Sequence, residues 1–138
     1  DLRFCYLASY NPFRETLYRS QRRFLTDFLQ TCRARNTRVM LVNMPMRSDV
    51  YGLMPPDFYT GYLNDIQSLA AANQALFVDL HKNPEFHDKD FVDQVHLNGE
   101  GGCKFVRQVA RAIVDREALQ PGPATQQLAA NKSSQPAD

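Results

Sequence analysis

Apolar residues recur at helical spacing between Arg14 and about Ala34, where Leu17, Phe24, Leu25, Phe28, Leu29 and Cys32 fall along one side. That period predicts an amphipathic helix with a single buried stripe, and Asn36 is a natural stop. Arg38–Asn43 (RVMLVN) is a short, almost unbroken apolar run ahead of Met44-Pro45, which predicts a strand buried on both faces. A second helix is expected after Pro55-Pro56, since proline is tolerated in a first helical turn; its inner face would carry Phe58, Tyr62, Leu63, Ile66, Leu69 and Ala70. Ala75–Leu80 (ALFVDL) reads as another buried strand. A polar loop over residues 81–98 leads to a third helix from Gly99 to about Glu117, with Phe105, Val106, Val109, Ala110 and Ile113 as its stripe.

The ends of the chain lack this periodicity. Residues 1–13 read as an extended lead-in that closes on an Asn11-Pro12 turn signal. Residues 118–138 are rich in Pro, Gln, Ser and Ala and are expected to be a disordered tail. Between them, the order helix–strand–helix–strand–helix predicts an α/β domain with a parallel sheet over residues 14–117. Two parallel strands alone would leave both outer edges unpaired, so further strands are expected upstream of this chain, as the first residue, Asp1, also suggests.

The length of 138 residues suits one domain, and the 43% hydrophobic content suits an ordinary core. No apolar run reaches the length of a membrane span, and no secretory leader is present at the start. Membrane association would therefore have to come through upstream sequence, and the compartment is open, extracytoplasmic anchoring included. The net charge of +1 excludes a general polyanion binder. Seven arginines cluster between Arg14 and Arg38 against Glu15 and Asp27, a pattern that suits a solvated helix face; no nucleic-acid-binding motif accompanies it. Cys5, Cys32 and Cys103 are odd in number and widely spaced, which argues against a disulfide framework or a zinc site. Cys32 and Cys103 sit beside apolar residues and are expected to pack as small hydrophobes.

Chemistry is expected in the loops beyond the carboxyl ends of parallel strands. The second such loop contains Asp93-Gln-Val-His96-Leu-Asn98-Gly99. An Asp-x-x-His stretch can curl so that the carboxylate holds the imidazole Nδ1–H, which leaves Nε2 as a proton acceptor. The carboxylate fixes the tautomer and stabilises the imidazolium formed when a serine is deprotonated. Asn98 is placed to cap the helix that follows. His81 and His87, with Asp79 and Asp88, match no familiar metal-ligand spacing. Tyr51, Tyr59 and Tyr62 read as packing residues, and Ser48 as a polar loop serine on the crevice side.

In this arrangement the chain resembles the SGNH (GDSL-like) hydrolase superfamily, whose last conserved block is Asp-x-x-His ahead of a C-terminal helix. The match runs through Phe77-Val-Asp79-Leu, Asp90-Phe-Val, Asp93-x-x-His96 and Gly101. Leu-Val-Asn43-Met-Pro45 is similar to the branch that includes membrane-associated D-alanyl-transfer proteins, and alginate-type O-acetyltransferases are more distant cousins. The resemblance implies the C-terminal portion of a flavodoxin-like, three-layer α/β/α domain with a parallel sheet. It also implies a bacterial serine esterase or acyltransferase in which His96 is the general base and Asp93 orients it.

An acyl-ester small molecule or glycan would be the substrate, with no cofactor, no metal and no nucleic acid implied. The family's Gly-Asp-Ser nucleophile block is not found in this sequence. Gly61-Tyr-Leu-Asn64-Asp65 does not supply the family's Gly-x-Asn-Asp block either, because it lies within a predicted helix. The chain alone is therefore expected to be inactive. Two other readings stand beside this one: a non-catalytic α/β interaction module, and a basic surface that binds anionic lipid or nucleic acid.

Overall fold

Both β-strands follow a helix that ends in the same way. In the computed structural model, which describes residues 14–51, 53 and 55–119, helix α1 (Glu15–Ala34) leads to strand β1 (Met40–Asn43), and helix α2 (Pro56–Ala72) leads to β2 (Leu76–Asp79). Past α1, Asn36 takes a left-handed backbone (φ 53°) and the Thr37 N–H bonds back to the Cys32 carbonyl at 2.8 Å. Past α2, Gln74 does the same (φ 60°), with the Ala75 N–H on the Ala70 carbonyl at 2.9 Å. Each reversal satisfies a helix-terminal carbonyl and turns the chain into a strand. Asparagine tolerates that backbone readily, so Asn36 is the stop its sequence position suggests.

The strands pair in parallel, with Met40 opposite Leu76 and Asn43 opposite Asp79. The chain is thus α/β, and the described residues form a two-stranded sheet ordered β1-β2. Both strands are shorter than the apolar runs that predicted them. Met40–Asn43 and residues 76–78 are half-buried rather than buried on both faces, and Asp79 is exposed. α2 packs against β2 and supplies Ile66, Leu69 and Ala70 to the core, as its periodicity predicts.

The stripe on α1 departs from expectation. Leu29 is 1% exposed, whereas Leu17, Phe24 and Phe28 are more than half exposed. One side of the apolar arc is covered and the other has nothing described to cover it. α1 is tied to α2 by polar groups as well. The Tyr18 hydroxyl donates to Asp65 at 2.7 Å, and Arg22 Nε reaches both Asp65 oxygens at 2.9 and 2.7 Å. Burial, followed by the hydrogen bond to Asp65, raises the Tyr18 phenol to about 12. Its folded pKa lies above its unfolded value, so this contribution is whole below about pH 10 and lost as pH rises toward 12. Tyr18→Phe is expected to lower stability by about 1 kcal/mol at pH 7, read from urea midpoints, and to reduce the alkaline loss of stability.

The chain divides after Gly102 into two compact units. Helix α3 (Gly99–Leu119) begins in the first. In the second, Val106 and Ile113 of the expected stripe are exposed, as is Cys103, so these three are not buried as expected. Residues 118 and 119 continue α3, where the tail was expected to begin. The lead-in over 1–13 and the remainder of the tail lie outside the described residues. Among the described residues no helix is long and apolar enough to cross a membrane.

Candidate functional site

The loop after β2 folds back on itself just before α3. Phe91 and Leu97 form an antiparallel bridge, with the Val92 N–H on the His96 carbonyl at 2.8 Å and the Asn98 N–H on the Asp90 carbonyl at 2.9 Å. Antiparallel pairing alternates the two faces. Phe91 is accordingly buried, while Val92 and His96, opposite one another, are exposed. Residues 93–95 form the tip.

At this tip the Asp93 carboxylate is saturated by its own turn. Oδ1 accepts the N–H groups of Val95 and His96, both at 2.9 Å, and Oδ2 lies 2.8 Å from His96 Nδ1. The backbone N–H of Val95, then the His96 ring and backbone, hold the Asp93 carboxyl at about 2. An ionised carboxylate can only accept, so the proton between the two groups belongs to His96 Nδ1. In the neutral ring the lone pair is then on Nε2. The His96 side chain is 75% exposed, and no hydrogen bond to Nε2 is formed by the described residues.

Three features hold this turn in place. Asn98 caps α3 by accepting the Gly101 N–H at 3.0 Å, as its position predicts, while its Nδ2 donates to the Lys89 carbonyl at 2.7 Å. Asp90, fully buried, accepts the His87 N–H at 2.8 Å and shapes the short 3-10 turn Asp88–Asp90. Gly101 lets α3 approach the Asp90 carbonyl so closely that a Cβ there would stand 2.2 Å from the oxygen.

The loop after β1 reaches the same turn. The Arg47 N–H donates to the Gln94 carbonyl at 3.1 Å, and the Arg47 guanidinium is held by both Asp49 oxygens at 2.8 and 2.7 Å. The Ser48 hydroxyl and N–H are both given to Asp88, at 2.8 and 3.2 Å. Ser48 is thus a loop serine whose hydroxyl and N–H are engaged by Asp88. Ser68 bonds the Asn64 carbonyl within α2, the helix that also contains Gly61.

Asp93 and His96 lie in contact and Asn98 caps α3, as their positions in the sequence suggest. Missed were Arg47 and Asp88, whose contacts run between loops that no local pattern encodes, and Asp90, which acts within its own short turn. His81 is buried between the rings of Tyr51 and Tyr59, whereas His87 and His96 are exposed. No group of three His, Cys, Asp or Glu residues among the described ones is arranged to hold a metal ion. The arginine cluster is partly spent within the fold: Arg19 pairs with Glu15, Arg22 with Asp65, and Arg33 with the Ala72 carbonyl. No protein-family model matches the chain, and no curated protein or solved structure is significantly similar to it.

Proposed function

We propose that this chain is the C-terminal portion of a flavodoxin-like, three-layer α/β/α domain of the SGNH type, carrying the base half of a serine esterase or acyltransferase site. The observation that carries the reading is the Asp93–His96 pair, with Nδ1 held at 2.8 Å and Nε2 open on an exposed ring. This is the geometry a base needs if a serine hydroxyl is brought to it from another segment. In that role His96 takes the serine proton as the acyl carbonyl is attacked, then returns it to the departing alcohol. Asp93 holds the ring and stabilises its cationic form. An acyl-ester small molecule or glycan is the substrate class, and the base half requires no metal or organic cofactor.

Two further observations support an incomplete sheet. Among the described residues, β1 and β2 each have an unpaired edge, and the Leu17, Phe24 and Phe28 side of α1 is uncovered. An added parallel strand would satisfy the first, and the enlarged sheet would offer the second an apolar surface. The same uncovered side also suits the alternative of an interaction module. What favours catalysis is that Asp93 Oδ1 is fixed by two backbone N–H groups so that Oδ2 meets one imidazole nitrogen, a constraint that mere docking does not require.

The test is labelling by a fluorophosphonate, together with turnover of a short-chain ester. It is run on a protein carrying residues 14–119 with the serine-bearing segment, and on this chain alone. The expected result is labelling and turnover in the former, both lost in His96→Ala, and neither in the latter. Turnover unaffected by His96→Ala would sink the proposal, as would His96-dependent turnover by this chain alone.

A further inference from the structure

We infer that His81 is a positioning residue of the same site, a buried wedge that locks the loop after β1 over the strand ends and, through that loop, the Asp93–His96 turn. The inference rests on the reading of that turn as a base half. His81 is 4% exposed. Its ring packs against Tyr51, from the loop after β1, and Tyr59, from α2, with centroids 5.1 and 4.5 Å away and planes tilted by 42° and 35°. Its backbone is fixed too: its N–H donates to Asp79 Oδ1 at 3.0 Å, and its carbonyl accepts the Met46 N–H at 3.4 Å. Asn43 completes the floor, donating to Asp79 at 2.8 Å and to the Tyr59 hydroxyl at 3.0 Å.

The loop held in this way, residues 44–51, grips the catalytic turn through the Arg47 N–H on the Gln94 carbonyl, and the 3-10 turn ahead of it through Ser48 on Asp88. Packing at His81 is thereby transmitted to Gln94, the residue beside Asp93. Neither bond reaches across from His81 itself, so its influence runs through the loop. The side chain is also titratable. The groups that bear on its charge are Asp79, which favours the cation, and Lys82, which opposes it; Lys82 Nζ lies over the Tyr51 and Tyr59 rings at 5.4 and 5.9 Å. Burial is the largest influence and lowers the His81 pKa below its ordinary 6.5. The closed state therefore binds fewer protons than an opened one, and closure is weakened as pH falls below about 6.5.

The experiment is amide exchange followed by NMR between pH 7.5 and 4.5, corrected for the intrinsic pH dependence of exchange. Asp93, held at about 2, stays ionised across this range. In the wild type, protection of the Arg47, Val95 and His96 amides is expected to fall by about tenfold per pH unit below about 6.5. It should level off once His81 titrates in the closed state. His81→Phe keeps a flat ring between the tyrosines and is expected to retain protection throughout. His81→Ala is expected to lose it even at pH 7.5, while amides of α2 stay protected.

The inference is overturned if wild-type protection is flat across the range, or if His81→Phe loses it in parallel. Wild-type protection in His81→Ala at pH 7.5 would also overturn it. Should His81→Ala not fold, the comparison of His81→Phe with the wild type still decides. Failure here leaves the ester-turnover test intact, and failure of that test leaves these amide measurements intact.

Discussion

Gly101→Ala is expected to destabilise the domain by about 1–3 kcal/mol, the cost of forcing an extra carbon into a filled space. In an ordinary helix interior the same change is favourable by up to about 1 kcal/mol, because glycine loses more backbone freedom on folding. At this position the new Cβ would stand 2.2 Å from the Asp90 carbonyl oxygen and 2.9 Å from a Leu97 methyl. The methyl can swing aside. The carbonyl cannot move freely, since it accepts the Asn98 N–H and belongs to a fully buried residue. Relief must come from backing the start of α3 away from the turn, which loosens the Asn98 cap and the base of the Phe91–Leu97 bridge. Gly99 and Gly102 are built-in controls: a Cβ at either meets nothing within 4 Å. Gly102→Ala should be neutral or stabilising. Urea midpoints for the three variants measure this, and equal midpoints for Gly101→Ala and Gly102→Ala would show that the close approach is not maintained.

The second large effect concerns chemistry. If the proposed esterase is assembled with its serine segment, Asp93→Asn is expected to lower turnover on the order of 10⁴-fold. The carboxamide can present its NH₂ to the ring, which favours the tautomer with the proton on Nε2, where it cannot accept one from serine. It also removes the charge that stabilises the imidazolium. Folding should be affected less than catalysis, because the amide oxygen can still accept the Val95 and His96 N–H groups. The measurement is kcat for ester hydrolysis beside the urea midpoint of the same variant. Loss of kcat with KM unchanged would locate the effect in the transition state, whereas full activity would remove Asp93 from the mechanism. Because its carboxyl lies at about 2, Asp93 keeps its charge through any ordinary assay, and protonation of Asp93 does not account for activity lost at moderately acid pH.

Much of this architecture was legible in the sequence because it is encoded over short distances. The 3.6-residue apolar period located the three α-helices of the described residues, Pro55-Pro56 marked the start of α2, and Asn36 marked the stop of α1. The Asp-x-x-His spacing contained the pair because both partners lie in one turn and the backbone of that turn holds the carboxylate. What escaped depends on partners distant in sequence. Leu17 and Leu29 lie at the two ends of one apolar arc, and only contact with another element decides which end is covered. Cys103 lies beside apolar residues in sequence and is exposed in the fold. Arg47 and Asp88 carry no local signature, since each is defined by the other loop. His81, flanked by Leu80 and Lys82, resembles any loop histidine until Tyr51 and Tyr59 close around it.

The Asp93–His96 contact spans only three positions in the chain. Contacts this local close on a timescale of about 100 ns or less and incur little loop-closure entropy. The Asp93–His96 pair can therefore assemble early during folding and re-form quickly after any local opening. A serine arriving from a remote segment would be the slow, entropy-limited partner. In a protein built this way, the time needed to become active is set by long-range docking of the sheet, while the imidazole is already oriented.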